Sequence, residues 1–475
     1  MYGLTLQYIA QETGGKLIAH EKFYAYEPIG ASIDTRTLSK GELFFAIAGE
    51  KTDGHEYLKQ AMEKGAIAAV VSRVSDIEAL HGFPLVVVEN TYEALRGTAA
   101  LMRRSFKGKV VAVTGSTGKT TTKDMLWSML NQRAPALRNI GNMNNELGLP
   151  LTICALKEKH WAMILEMGMR GLGQIDDLAE ISAPDHAIIT NIGHTHQEIL
   201  GSQENIARAK AELLPHIPRG GAVILNYADQ SLLRQWIDNT KAEILWIGQD
   251  NNADIWADEI IKTRDSDLYN RCSFYACTAF GERERIDLFI PGKHNISNAL
   301  SAIMAARKLG ITWQEIRTGL QNLEVSSMRL EFKKISHPDA LIINDTYNAS
   351  PASMCAALDV LVSAGRETDR KIAVLGDMYE LGDYTKEGHE NVGIKVSEKG
   401  ISYLLTVGKN AEYIAEGAKN AGVSGEKIFV CVDKKELIHN LNMILKSGDV
   451  ILIKGSRGAK KEEIVSALID RGRSS

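Results

Sequence analysis

The 475-residue sequence predicts an α/β fold in three domains, and three observations carry that expectation. The chain is too long for a single hydrophobic core. Short apolar runs of strand length alternate with helical segments. One such run passes straight into a glycine turn and then a helix. A small N-terminal α/β domain, residues 1–105, is expected from LFFAIAG (43–49), AIAAVV (66–71) and PLVVVEN (84–90). A central domain, 106–325, opens with KVVAVTG (109–115) and the helical TTTKDMLWSMLNQ. It continues through WAMILEMG (161–168), HAIITNIG (186–193) and GAVILNY (221–227), a pattern of parallel strands with crossover helices around a P-loop-type site. The polar stretch 250–287 reads as extra strands, and HNISNALSAIMAARKLG (294–310) as the closing helix. The C-terminal domain, 326–475, carries ALIINDT (340–346), KIAVLGD (371–377), YLLTVG (403–408), KIFVCVD (427–433) and DVILIKG (449–455). That is a second, Rossmann-like, doubly wound domain, without the GxGxxG that a dinucleotide site requires.

Hydrophobic residues make up 44% and charged residues 24%, and the formal net charge is -4, which gives no reason to expect a nucleic-acid or membrane partner. Short basic pairs such as Arg103-Arg104 read as a solvated face. Met1 to Ile18 lacks a basic start followed by an apolar run, and no stretch approaches eighteen apolar residues, so neither a secretory signal nor a membrane span is expected. The five cysteines are scattered and without CxxC spacing, and the alternation in CSFYACTAF suggests a strand rather than a metal knuckle. A reducing cytoplasm fits this usage.

The strongest local signal is Gly115-Ser116-Thr117-Gly118-Lys119-Thr120, between strand and helix. Glycines let successive N–H groups turn toward phosphate oxygens, Lys119 can reach the outer phosphates, and the Thr120 hydroxyl can ligate magnesium. The loop departs from GxxxxGK[ST], since Val113 stands five places before Gly118. On its own it serves a kinase, an ATPase or a ligase equally well. Glu166 lies at the carboxyl end of the strand AMILEMG, His196 follows the next strand, and Lys210 lies in the helical IARAKAELL. Singly, these read as a helix cap, a hydrogen-bonded loop residue and an exposed lysine. Together, at strand ends beside a phosphate loop, Glu166 and His196 point to a magnesium site.

The ordered run TGSTGKTTTK, NMNNELGLPLT, EMGM, TNIGHTHQEILGSQENIARAKAEL, GKHNISNALSA, MRLE, NDTYNASPASM, VLGDMYELG and IKGSRG resembles the Mur ligases, from SIDTR (32–36) to KGSRG (454–458). The resemblance implies a three-domain ATP-dependent ligase that joins a carboxylate to an amine through an acyl phosphate. NDTYNASP resembles the mark of the member that adds D-alanyl-D-alanine to UDP-N-acetylmuramoyl-tripeptide. Carried over by position, Gly115, Ser116, Thr117, Gly118, Lys119, Thr120 and Thr121 would hold the ATP phosphates. Asn295 and Asn298 would lie near the adenine, and Arg329 and Asp345 would reach ATP when the last domain closes. Thr120, Glu166, His196 and a carbamylated Lys210 would hold Mg2+, with Lys119, Glu166, His196 and Lys210 forming the catalytic set. Ser32, Thr35 and Arg36 would receive the UDP group. Tyr347 and Asn348, with the strand end Gly376-Asp377, would hold the dipeptide. His194 departs from the family's pattern and stays outside the metal set. A monomer is expected. The rivals are a sister amide ligase, such as folylpolyglutamate synthase, and a P-loop kinase or nucleotide-gated binding protein.

Overall fold

A computed structural model describes residues 1–474 apart from Tyr2, 75–81 and 265–269. Three sheets follow one another along the chain. The first has five strands in the order Lys16–Ile18, Leu85–Val87, Ala68–Val71, Leu43–Phe45, Ala31–Ser32, all parallel except the first pair. Helix Thr91–Ser105 begins where Asn90 accepts hydrogen bonds from the N–H groups of Tyr92 and Glu93, and buries Leu95, Ala99 and Met102. It packs on helices Gly148–Cys154 and Gln174–Ser182, so the first domain shares an apolar core with the second.

The second sheet has nine strands. Lys109–Thr114 lies between Ala162–Glu166 and His186–Ile189, with Ala136–Arg138 beyond the former. On the other side run Ala222–Asn226, Glu243–Gly248 and Ile255–Arg264, all parallel. Antiparallel strands Asn270–Thr278 and Arg283–Leu288 complete it. The stretch 250–287 thus does supply extra strands; 265–269 lies outside the described residues. Strand Asn270–Thr278 buries consecutive residues Cys272, Ser273 and Phe274, so it is covered on both faces rather than alternating. Helices Lys119–Leu130 and His294–Lys308 cover one face, with Met125, Met129, Leu300 and Ile303 fully or almost fully buried.

The third sheet runs Glu331–Ser336, Asp339–Asp345, Val450–Lys454, Lys371–Gly376, Tyr403–Val407, Ile428–Cys431, parallel after the first hairpin. The NASP part of NDTYNASP is a helix start: Ser350 caps helix Pro351–Ser363 and Pro351 takes its first turn, where a missing N–H costs nothing. Among the described residues no helix is long and apolar enough to cross a membrane.

Candidate active site

Because Lys109–Thr114 sits between Ala162–Glu166 and His186–Ile189, the parallel sheet delivers the phosphate loop, Glu166 and the 190–196 segment to one edge. A cleft of about 1310 Å³ opens there. The second domain lines it with Gly118, Lys119, Thr120, Thr121, Glu166, His196, Asn295 and Asn298. Asp345, Tyr347 and Asn348 line it from the third, and Arg329 from the connection between them.

The loop's shape is fixed by two glycines. Gly115 has φ 144° and Gly118, at the start of helix Lys119–Leu130, φ 80°. A Cβ on Gly115 would stand 1.9 Å from Thr190 Oγ1, and one on Gly118 2.3 Å from Asn298 Oδ1. Gly115→Ala is therefore expected to lower unfolding free energy by on the order of 2–4 kcal/mol, from strain and overpacking together, read by urea unfolding. Stability within half that range would show that the loop relaxes freely. The segment after the neighbouring strand pins the loop. Thr117 N donates to Asn191 Oδ1 at 3.0 Å, Thr190 Oγ1 to Thr117 O at 2.6 Å, and Gly193 N to Ser116 Oγ at 2.8 Å. The helix N-terminus thus presents unpaired N–H groups and the positive end of its dipole to the cleft. Lys119 Nζ curls over the loop, donating to Gly115 O at 2.7 Å. Burial lowers its pKa, opposed by the charge of Glu166.

Glu166 is 2% exposed and held on every side. Its backbone is clamped by Asn139, whose Oδ1 accepts from Glu166 N at 2.9 Å and whose Nδ2 donates to Glu166 O at 2.8 Å. Its carboxylate accepts from Thr120 Oγ1 and from Asn144 Nδ2, each at 2.8 Å, and buried Lys123 Nζ lies 3.5 Å away. Burial alone would raise its pKa, but Lys123, Lys119 and Arg329 outweigh that and leave it lower than usual, hence ionised. Arg329 Nη2 donates to Thr120 Oγ1 at 2.7 Å, and its guanidinium lies 4.1 Å above the Tyr347 ring. Arg329 therefore stands against the phosphate loop, with Tyr347 as its platform.

His196, at φ 68°, faces across the cleft rather than toward a carboxylate of its own domain. Its Nδ1 comes within 2.5 Å of Glu380 Oε2, outside a hydrogen-bonding angle. Burial lowers the His196 pKa while Glu380 opposes this. Glu380 itself has φ 63° and its carbonyl accepts from Glu198 N at 3.3 Å, so the third domain touches the second here. His194 bonds Gln197 and stacks on Tyr384 at 4.7 Å. Lys210 is 1% exposed and not among the residues lining the cleft. Burial, then the charge of Lys119, pushes its pKa well below the ordinary lysine value.

Other expected residues fall as follows. Asn298 Nδ2 donates to Asn295 Oδ1 at 3.0 Å, and both are buried in the cleft wall. Asp345 pairs with buried Lys454 at 2.5 Å, and Lys454 also donates to Asn348 O at 2.9 Å. Ser32, Thr35 and Arg36 do not line this cleft. Ser32 Oγ closes a turn onto Asp34, Thr35 Oγ1 donates to Gln60, and the exposed Arg36 pairs with Asp34. Asp377 accepts from the N–H groups of Asn410 and Ala411 and is absent from the cleft lining, so its part is to hold a turn. Lys123, Asn144, Asn191, Glu380 and Lys454 lay within quoted motifs, and Asn139 just before one, but their partners come from distant segments.

For a magnesium ion, Thr120 and Glu166 offer two hard oxygen donors 2.8 Å apart, already charge-balanced by cations. Among the described residues no group of three or more His, Cys, Asp and Glu side chains converges as a metal cluster. The Thr120–Glu166 pair matches what magnesium takes from a protein, one or two oxygens, with phosphate and water in its remaining positions.

Comparison with known proteins agrees with this geometry. Residues 30–100 match the Mur ligase family catalytic domain, 113–306 the Mur ligase middle domain, and 328–457 the Mur ligase glutamate ligase domain. The UDP-N-acetylmuramoyl-tripeptide–D-alanyl-D-alanine ligase of Bacillus subtilis (strain 168) is 36% identical, covering 98% of each chain. Among solved structures, MurF from Acinetobacter baumannii has a TM-score of 0.84 at 31% identity, covering 98% of each chain. MurF ligase from Thermotoga maritima in complex with ADP has a TM-score of 0.78 at 26% identity, covering 94% of this chain and 98% of that one. With its three domains matched in order and its phosphate loop facing the last of them, the chain belongs to the Mur ligase family.

Proposed function

We propose that the protein ligates D-alanyl-D-alanine to UDP-N-acetylmuramoyl-tripeptide at the expense of ATP. One observation supports this most: the Thr120–Glu166 contact at the phosphate loop is capped by Arg329 from the approach to the last domain. One cleft can therefore hold a triphosphate on the second domain and face it with the third, which would bring the acceptor. The full-length likeness to ligases of that name gives the substrates.

The chemistry follows from the poor electrophilicity of a carboxylate. The tripeptide's terminal carboxylate oxygen attacks the γ-phosphorus, ADP leaves, and an acyl phosphate forms. The neutral amine of D-alanyl-D-alanine then adds to the acyl carbon. The tetrahedral intermediate expels phosphate, which carries the former carboxylate oxygen. The first step needs alignment and neutralisation of spreading negative charge. Lys119, the helix N-terminus and Arg329 supply fixed positive charge without reorganisation. Bound Mg2+ would neutralise the triphosphate, held by Thr120 and Glu166, with His196 Nε2 and a carbamylated Lys210 as further groups of that site. Carbamylation needs a neutral amine, and the depressed pKa of Lys210 meets that need.

Asn295 and Asn298 would receive the adenine, Asp345 and Arg329 the nucleotide, and Tyr347 and Asn348 the dipeptide. Ser32, Thr35 and Arg36, away from the cleft, would hold the distant UDP end. Domains 1–105, 106–325 and 326–475 serve precursor, ATP and dipeptide respectively, in a monomeric cytoplasmic enzyme.

The test is phosphate release from ATP with UDP-N-acetylmuramoyl-tripeptide, with and without D-alanyl-D-alanine, with product mass measured. The expected outcome is release that requires the dipeptide and a product that is the pentapeptide. Phosphate transferred to a hydroxyl, or hydrolysis indifferent to acceptor, would favour the kinase reading instead.

A further inference from the structure

The motif IKGSRG places two cations in the cleft, Lys454 and Arg457, that none of the steps above employs. Of the cations lining the cleft, Lys119 is bonded to loop carbonyls, Arg329 to Thr120, and Lys454 to Asp345. Arg170 belongs to the second domain, is largely exposed, and approaches Glu380 at 3.7 Å. Arg457 remains. It follows the carboxyl end of strand Val450–Lys454, on the domain that faces the phosphate loop.

Its guanidinium is anchored by one nitrogen only. Nη1 lies 3.0 Å from Glu462 Oε1 and 3.3 Å from Met328 Sδ. Among the described residues Nε and Nη2 have no hydrogen-bond partner, so one edge of the fork presents two parallel donors, the arrangement that matches a carboxylate. Beside it stands the half-exposed Tyr379 ring. The same turn holds both: Tyr379 N donates to Ser456 Oγ at 3.0 Å, and a Cβ on Gly458 would lie 3.1 Å from the Tyr379 ring.

We propose that Arg457 receives the terminal carboxylate of the dipeptide acceptor through Nε and Nη2, with Tyr379 as the apolar wall for its methyl groups. This rests on the ligase reading above. An acceptor with an amine at one end and a carboxylate at the other must keep its anion away from the transferring phosphoryl group. Anchoring the carboxylate on the last domain does so and turns the amine inward. Arg457 thereby selects acceptors with a free terminal carboxylate.

The experiment compares D-alanyl-D-alanine with its C-terminal amide as acceptor, in wild type, Arg457→Ala and Arg457→Lys. Wild type is expected to prefer the acid by roughly a hundredfold in kcat/KM, the scale of losing one partner of a charged hydrogen-bonded pair. Arg457→Ala is expected to raise KM for the acid by a similar factor and to treat acid and amide alike; Arg457→Lys recovers part of the preference. KM for ATP and for the tripeptide stays unchanged in Arg457→Ala, as does hydroxamate formation when hydroxylamine traps the acyl phosphate. An acid preference that survives in Arg457→Ala, or a wild type indifferent to the amide, overturns this assignment alone. A wild type that makes no pentapeptide overturns the ligase reading and this inference with it.

Discussion

Lys119→Ala is expected to lower kcat by on the order of a thousandfold, about 4 kcal/mol of transition-state stabilisation, with the fold retained. The magnitude follows from where the charge sits. Lys119 heads the helix after the loop, is half-buried, and reaches back over Gly115 O at 2.7 Å. A cation fixed there meets phosphoryl oxygens in a water-poor site, where it acts far more strongly than in bulk solvent. Among the described residues the side chain makes no ion pair at 4 Å or closer, and after its removal Glu166 keeps Lys123 at 3.5 Å. Circular dichroism and the unfolding midpoint should be unchanged, while acceptor-dependent phosphate release collapses. A decrease of less than tenfold would remove Lys119 from the phosphoryl-transfer step.

Lys210→Ala carries the second large effect: an expected loss of roughly a hundredfold to a thousandfold, partly restored by short carboxylic acids. A lysine 1% exposed, beside the charge of Lys119 and without an ion pair among the described residues, is costly as an ammonium. Adding carbon dioxide to the neutral amine reverses the sign of the group and turns it into an oxygen donor. Truncation to alanine empties the space that the carbamate would fill, and acetate or propionate supplies a carboxylate of similar size. Activity of Lys210→Ala equal to wild type without added acid would end this role. An impaired variant that no acid restores would leave the lysine a packing residue.

The two α/β sheets were legible because their strands are apolar runs of a definite length. KVVAVT, AMILE, HAII and AVILN are buried on both faces and need no partner's help to be recognised. The phosphate loop was equally plain, since its glycines act through local backbone geometry. Strand Glu331–Ser336 gave no such signal. It is an edge strand with Lys334 and Ser336 exposed on one face, and only Ile335 buried. The surroundings of Glu166 were hidden for another reason. Asn139 and Lys123 reach it from a loop and a helix far away in sequence, and no periodicity announces such meetings. Glu380 was likewise unreadable, because its contact with His196 exists only once two domains face each other. Asp377 shows a different limit: a glycine–aspartate after a strand suggested a ligand contact, and in the structure its Oδ1 accepts from two backbone N–H groups of a turn that the sequence did not announce.

The most direct test of carboxylate activation follows one oxygen atom. UDP-N-acetylmuramoyl-tripeptide labelled with 18O in its terminal carboxylate, incubated with ATP, magnesium and D-alanyl-D-alanine, should yield phosphate carrying one carboxylate-derived oxygen for each pentapeptide made. Phosphate free of label, with its new oxygen drawn from water, would mean that the nucleotide is merely hydrolysed and that no acyl phosphate forms.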